Sequence, residues 1–186
     1  MSKILILFHS NDGNTAKMAE LVAEGAKQIE GATVRCLTVD EASHEDLTWC
    51  DGIALGSPTN YGTVSHQMKM WWDKLPPEGW GQSDGKIGCA FSSAGAWGGG
   101  QELTCMTLLT ILMNYGFLTF GVADYVDKQF SPHYGSICAG EPREEKVKES
   151  CRRLGRRLSE WVSTLHHGNK HHHPLAQDYD RFKHLG

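Results

Sequence analysis

The chain has 186 residues, a formal net charge of −4 and 40% hydrophobic residues, which fits one globular domain with its own hydrophobic core. The lack of a basic excess argues against nucleic-acid binding, and no apolar run approaches the roughly 20 residues of a membrane span. The six cysteines are scattered without a C-x-x-C pair, which predicts reduced thiols in a cytoplasmic protein rather than a zinc or dithiol site.

Five short apolar runs alternate with segments of helical periodicity, which is the pattern of parallel βαβ units. Right-handed crossovers place the helices of such units on both faces of the sheet. The sequence therefore predicts a doubly wound, three-layer α/β/α sandwich. The five predicted strands are residues 4–8, 33–39, 53–56, 87–91 and 117–122.

The segment HSNDGNT, residues 9–15, connects the first strand to the first predicted helix. In a doubly wound sheet, ligands bind at the carboxyl ends of the strands. A helix that begins at Asn14 or Thr15 offers unpaired N–H groups, and Ser10 adds a hydroxyl, so the turn suits a phosphate without any lysine. A plain helix cap by Asn14 or Asp12 is the alternative. The turn has one glycine and no lysine, so it is neither a Walker A loop nor a G-x-G-x-x-G fingerprint.

Two further loops follow the third and fourth strands at the same edge of the sheet. In SPTNYG, residues 57–62, a proline restricts the backbone, and in SSAGAWGGG, residues 92–100, four glycines allow the backbone to approach a flat ligand. Tyr61 and Trp97 offer aromatic faces to a planar ring. Together the three loops predict a site for a mononucleotide.

The segment 101–115 has a helical pattern that is apolar on most faces and precedes Gly116, a plausible helix stop. One sheet cannot cover all these faces, so we expect the part of the helix on which Met106, Leu109 and Met113 lie close together to face a second subunit. Burial between the sheet and a neighbouring helix is the alternative.

The last helical pattern, from Val147 to Trp161, is followed by a tail that holds six of the ten histidines. The histidines could bind a metal, but a solvated polar tail without a metal site is the prediction that we retain. The expected organisation is one domain over residues 1–165 and a His-rich tail over residues 166–186.

The loop motifs resemble those of the flavodoxin family, and most closely those of the flavodoxin-like NAD(P)H:quinone oxidoreductases of the WrbA type. SNDGNT resembles the phosphate loop [ST]-x-[ST]-G-N-[ST], and GSPTNYGTVSHQMK resembles G-[ST]-P-T-x-[FY]-G-x-[MV]-[SA]-x-x-[MLF]-K. SSAGAWGGGQE resembles S-[ST]-x-x-x-x-G-G-Q-E, while PHYGS and AGE resemble elements near the fifth strand. The resemblance covers about residues 2–165. It implies a five-stranded parallel sheet of order 2-1-3-4-5 and one non-covalent FMN.

The resemblance also assigns roles to residues. His133 and Tyr134 are implied at the open face of the flavin, with His133 as the candidate catalytic group that donates a proton or hydrogen bond to a quinone. Asp12 replaces a hydroxyl residue of the family, so we expect its carboxylate to point outward or to cap the turn. The implied FMN-binding residues are Ser10, Asn11, Asp12, Gly13, Asn14 and Thr15 at the phosphate, Pro58, Thr59, Asn60, Tyr61 and Gly62 beside the ring and ribityl chain, and Ser92, Ser93, Ala94, Gly95, Ala96, Trp97, Gly98 and Gly99 at the ring edge, with His133.

Three functions remain open for such a protein. An FMN-dependent NAD(P)H:quinone oxidoreductase would reduce quinones by two electrons and could be a homo-oligomer. A flavodoxin-type carrier would instead exchange electrons with redox partner proteins. Carriers tend to present an acidic face around the flavin, and the scarcity of acid in these loops favours the reductase. The three intact loops argue against a non-redox interaction module.

Overall fold

The computed structural model describes residues 1–77, 80–177 and 179. Strands and helices alternate along the chain as predicted, and two short 3-10 turns follow the last helix. The strands are β1 (Ser2–Phe8), β2 (Ala32–Thr38), β3 (Gly52–Asn60), β4 (Thr63–Val64), β5 (Ile87–Ala94), β6 (Leu118–Thr119) and β7 (Ser136–Ala139). The helices are α1 (Asn14–Ala26), α2 (His44–Trp49), α3 (His66–Asp73), α4 (Gln101–Asn114) and α5 (Glu145–His167).

The strands form a parallel sheet in the order β2-β1-β3-β5, with β6 and β7 both beside β5. The predicted α/β sandwich with strand order 2-1-3-4-5 is confirmed, because β6 and β7 together occupy the fifth position. β6 pairs with the start of β5, at Ile87 and Gly88. β7 pairs with the end of β5, from Phe91 to Ala94. The fourth strand in space is therefore flanked by an interrupted fifth strand.

The predicted fifth strand, residues 117–122, is correct only for residues 118–119. After β6 the chain leaves the sheet and folds on itself, since the Val122 N–H donates to the Pro132 carbonyl and the Val126 N–H to the Phe130 carbonyl. Asp124 of this segment is buried in a charge pair with Arg157 of α5, with 2.8 Å between Oδ2 and Nη2. These contacts replace the ladder bonds that a continuous strand would have made.

Alternate residues of β1 serve the two faces of the sheet. Ile4 and Ile6 pack against α1 and α5, whereas Leu5 and Leu7 pack against α2, α3 and α4. The helices α1 and α5 lie in close contact because Gly155 has no side chain: a Cβ there would lie 1.8 Å from a carbonyl oxygen of α1. None of the described helices is long and apolar enough to cross a membrane.

The described part of the tail folds back on α5. His172 Nδ1 lies 2.7 Å from Ser163 Oγ, and the ring of His173 packs edge-on against Trp161. The predicted polar tail includes residues 178 and 180–186, which lie outside the described residues. The division at residue 165 stays a prediction.

Candidate functional site

The N-terminus of α1 is arranged to receive an anion. Gly13 precedes the helix with φ +82°, a backbone conformation that suits glycine. As the first two residues of the helix, Asn14 and Thr15 have no intrahelical acceptor for their N–H groups. The next N–H, of Ala16, donates to Ser10 Oγ at 3.2 Å. Two backbone donors and the positive end of the helix dipole are thus available to a ligand.

The alternative of a plain helix cap by Asn14 or Asp12 is not what the turn shows. No side chain caps α1 at its N-cap position, Gly13. Ser10, four residues before the helix, instead satisfies one N–H and keeps its own hydroxyl hydrogen for another acceptor. The Asp12 side chain is exposed, and Asp12 is also among the residues that line the cleft.

Paired hydroxyl groups connect the elements around this turn. Thr15 Oγ1 lies 2.8 Å from Ser93 Oγ, which joins α1 to the end of β5. Thr59 Oγ1 lies 3.1 Å from Ser92 Oγ and 2.9 Å from Thr104 Oγ1, which joins β3, β5 and α4. A hydroxyl can accept one hydrogen bond while it donates another. Thr15 can therefore accept from Ser93 and still donate to a ligand.

The loop after β3 is a tight hairpin that displays Tyr61. Asn60 of β3 pairs with Thr63 of β4, so Tyr61 and Gly62 form a two-residue turn. Both have positive φ, 49° and 89°, as a type I′ turn requires. A tyrosine in this conformation is uncommon and places its ring entirely in solvent at the hairpin tip. Such strain is typical of functional positions.

The loop after β5 is held by a side chain that the sequence did not single out. Gln101, the first residue of α4, is completely buried. Its Nε2 donates to the Ala96 carbonyl at 2.9 Å and to the Cys138 carbonyl at 3.3 Å. Trp97 is half exposed and packs edge-on against Phe130, with ring centroids 6.2 Å apart. The place of Gln101 directly after the glycines in GGGQE is the one sequence signal that could have indicated its role.

The three loops line one cleft of about 120 Å³ that is open to solvent. Every residue that lines it was predicted from the sequence. The other predicted residues lie beside it: Gly13 precedes α1, Tyr61 and Gly62 form the hairpin tip, Ser92 is buried in β5, and residues 96–99 continue the glycine loop. The lining residues are Ser10, Asn11, Asp12, Asn14, Thr15, Pro58, Thr59, Asn60, Ser93, Ala94 and Gly95.

His133, the predicted catalytic residue, does not line this cleft. It is exposed on the segment between β6 and β7, next to the exposed Tyr134. Its Nδ1 lies 3.3 Å from the Val122 carbonyl oxygen, and its ring packs edge-on against Tyr125. Because a carbonyl only accepts, Nδ1 carries the hydrogen in this contact.

The described residues that line the cleft are uncharged apart from Asp12. Among the described residues that line it, none is basic. Lys17, one turn into α1, is paired with Glu141, and Glu141 also accepts from Arg143 Nε at 2.8 Å. The hydrogen bonds from Lys17 and Arg143 lower the pKa of Glu141 to about 2. Glu141, which lies between β7 and α5, is thus paired with Lys17, the nearest basic side chain of α1.

A doubly wound sheet with an anion-binding turn, a polar cleft and two displayed aromatic rings at one edge defines an α/β protein that binds a mononucleotide. Comparison with known proteins agrees. The family profile described as Flavodoxin domain matches residues 5–75. A flavodoxin of Aquifex aeolicus is 59% identical over 170 residues, which are 91% of this chain and 92% of the relative.

Some of the more distant relatives have a different name. An NAD(P)H dehydrogenase (quinone) of Archaeoglobus fulgidus is 31% identical and aligns with 89% of this chain and 100% of its own length. The structure of a flavodoxin, WrbA-like protein from Agrobacterium tumefaciens superposes with a TM-score of 0.68 at 24% identity, covering 88% of this chain and 99% of that one. The chain belongs to the flavodoxin family and is a flavodoxin-like redox flavoprotein.

The cofactor of this family, FMN, fits the cleft. FMN ends in one phosphate, and the α1 turn offers one anion position with two backbone N–H groups and the hydroxyls of Ser10 and Thr15. Its planar ring has Tyr61 and Trp97 available as aromatic neighbours.

Proposed function

We propose that the chain is a flavodoxin-type electron carrier that binds FMN non-covalently in the cleft described above. When bound, FMN supplies the redox chemistry, since its ring accepts and releases electrons. The observation that carries the proposal is the 59% identity to the flavodoxin of Aquifex aeolicus across nine tenths of both chains. The carrier would exchange electrons with redox partner proteins. The cytoplasm is its proposed location, in keeping with six unpaired cysteines.

The residues of the three loops would bind and orient the cofactor. The N–H groups of Asn14 and Thr15 and the hydroxyls of Ser10 and Thr15 would donate to the phosphate. Tyr61 and Trp97 would flank the ring system, and Gln101 would hold the glycine loop at the ring edge through the Ala96 carbonyl. All these donors belong to elements that the sheet already fixes, so binding requires little reorganisation.

The hydrogen bond of His133 bears on the choice between a carrier and a reductase. A quinone reductase needs a group that gives a proton or hydrogen bond to the quinone oxygen. Nδ1 of His133 contacts the Val122 carbonyl, so Nε2 is the ring nitrogen that a quinone would have to use.

The second candidate is an FMN-dependent NAD(P)H:quinone oxidoreductase. It is supported by the relative named NAD(P)H dehydrogenase (quinone), which aligns over its whole length. In that case NAD(P)H and a quinone would be the substrates, and a protonated His133 would act as the catalytic donor.

An anaerobic titration of the FMN-loaded protein distinguishes the two candidates. For a carrier we expect neither NADH nor NADPH to bleach the flavin absorption faster than that of free FMN, and dithionite to reduce it in two separate one-electron waves. His133→Ala should leave both results unchanged. Rapid bleaching by NAD(P)H, reoxidation by benzoquinone and a slower rate in His133→Ala would reject the carrier in favour of the reductase.

A further inference from the structure

One peptide group of the glycine loop after β5 is held in a fixed orientation by two hydrogen bonds. The Ala96 carbonyl oxygen accepts from Gln101 Nε2 at 2.9 Å and from the Gly99 N–H at 3.2 Å. A carbonyl oxygen has two lone pairs, so both are in use. Gly98 has φ +78°, the positive φ that the third residue of a type II turn requires. The Ala96 carbonyl therefore cannot rotate towards solvent without losing both hydrogen bonds.

The N–H of the same peptide group points the other way. In a planar trans peptide, the carbonyl and the N–H that follows it lie on opposite sides of the chain. Because the Ala96 carbonyl is directed at the completely buried Gln101, the Trp97 N–H is directed at the exposed side of the loop. Among the hydrogen bonds of the described residues, none is donated by the Trp97 N–H. Gly95, which precedes Ala96, lines the cleft, so this free donor lies beside it.

Stability alone does not explain the glutamine that fixes this peptide. Besides its contact with the loop, Gln101 Nε2 donates to the Cys138 carbonyl of β7 at 3.3 Å, which ties the loop to the interrupted fifth strand. Gln101 Oε1, however, is buried without a hydrogen-bond partner among the described residues. A buried acceptor that is left unsatisfied destabilises the folded chain, and an apolar side chain of similar size would avoid that penalty.

We propose that Gln101 is a positioning residue that keeps the Trp97 N–H directed at the flavin ring, and that this donor favours the reduced state of the ring. The inference rests on the proposed binding of FMN in the cleft. Reduction adds negative charge to the flavin ring, and a fixed donor stabilises charge where it develops. A peptide turned the other way would present the Ala96 carbonyl oxygen and repel the same charge. Since the peptide is already oriented in the protein without FMN, binding does not have to reorganise it.

Redox titration of the FMN-loaded protein tests the role of the glutamine. Gln101→Met removes the amide and nearly keeps the size of the side chain. We expect it to raise the dissociation constant of oxidised FMN about tenfold and that of fully reduced FMN about a hundredfold, and this tenfold difference lowers the two-electron midpoint potential by ~30 mV. Gln67→Met is the matched control, because Gln67 lies near the start of α3 and its Oε1 is also buried without a partner, but it does not line the cleft. It should leave the potential unchanged.

The potential separates positioning from a merely structural role. If Gln101 only supports the fold, Gln101→Met lowers the urea midpoint of the apoprotein and weakens the binding of both redox states of FMN alike, so the potential does not move. That result would overturn the inference and leave the proposed carrier intact. A wild-type protein that does not bind FMN would instead overturn the proposed function, and the inference with it.

Amide hydrogen exchange, followed by NMR of the isotope-labelled wild type, tests the donor without any substitution. The Trp97 N–H should exchange rapidly in the apoprotein, and FMN should slow its exchange at least about tenfold. The Gly140 N–H is the internal control, because it donates to the Ala94 carbonyl at 2.7 Å and should exchange slowly in both states. If FMN leaves the exchange of the Trp97 N–H unchanged, the proposal is wrong, even where Gln101→Met does not fold.

Discussion

The hydroxyl of Thr15 is the most direct test of the phosphate site. Its side chain is almost completely buried, and Oγ1 lies 2.8 Å from Ser93 Oγ. Thr15→Val removes the hydroxyl and nearly keeps the shape of the side chain. The variant therefore separates what the hydroxyl contributes to the fold from what it contributes to the cofactor.

The two contributions differ in size. Without FMN, the variant loses one neutral hydrogen bond, worth about 0.5–1.5 kcal/mol of the free energy of unfolding, and water in the cleft can partly replace it at Ser93. With FMN, the lost hydrogen bond has a charged acceptor and is worth about 1.5–3 kcal/mol. We expect the FMN dissociation constant to rise roughly tenfold to a hundredfold, at 1.4 kcal/mol per decade.

Quenching of FMN fluorescence on titration with apoprotein gives the affinity, and urea unfolding of the apoprotein gives the stability. Thr33→Val is the control, because Thr33 is exposed on β2, which lies two strands away from β3. It should change neither quantity much. If Thr15→Val loses stability but its FMN affinity changes less than about threefold, the hydroxyl does not contact the phosphate and the assignment is wrong.

Three further predictions concern stability. Burial lowers the pKa of His9 below its ordinary 6.5, so protonation favours the unfolded chain and the free energy of unfolding falls as the pH drops below about 6.5. In urea titrations between about pH 7 and pH 5, His9→Asn should therefore lose less stability than the wild type. An equal loss would contradict this prediction. Arg157→Met removes the closest cation from the buried Asp124 and should lower the free energy of unfolding by about 3–5 kcal/mol. The exposed Arg143→Met is the control and should cost less than about 1 kcal/mol. Similar losses in urea unfolding would show that the buried pair contributes no more stability than the exposed one. Tyr61→Gly should raise the melting temperature of the apoprotein, because it relieves about 1–2 kcal/mol of backbone strain at a positive φ. The same variant should weaken FMN binding. An unchanged FMN affinity would show that Tyr61 is not part of the site.

Much of the fold follows from patterns that the sequence displays locally. The apolar run in β1 is continuous because both its faces are covered, and the polar turn SNDGNT marks the start of α1 at Asn14 as predicted. The cleft could be predicted as well, because the carboxyl ends of neighbouring parallel strands meet at one edge. Each of its lining residues lies in one of the three predicted loop segments, although the structure assigns Pro58, Thr59 and Asn60 to the end of β3 and Ser93 and Ala94 to the end of β5.

Other features depend on tertiary contacts that no local pattern encodes. The hydroxyl pair Thr15 and Ser93 joins residues 78 positions apart, so it depends on how α1 lies against β5. The hairpin at Tyr61 was not predicted because tyrosine has no preference for positive φ. The interrupted fifth strand was missed because β7 is only four residues long and follows a segment fixed by the buried Asp124. Gln101 escaped notice because a glutamine at a helix start is ordinarily exposed.

The proposed phosphate site contains no lysine, and the lysine of the first turn of α1, Lys17, is paired with Glu141. Lys17 is bound by Glu141, whose pKa is lowered to about 2 by Lys17 and Arg143, so the three side chains hold the loop before α5 on α1. In the proposed site the cofactor phosphate would meet short-range donors, namely two backbone N–H groups at a helix end and the hydroxyls of Ser10 and Thr15, which are hydrogen-bonded to Ala16 and Ser93. Such donors act only at hydrogen-bond distance. The charge of an exposed lysine would instead attract any anion over longer distances, and salt screens that attraction. In the proposed site, selectivity for a terminal phosphate would therefore follow from the geometry of the strand-to-helix turn, which the pairing of β1 with β3 and of β3 with β5 places beside the other two loops.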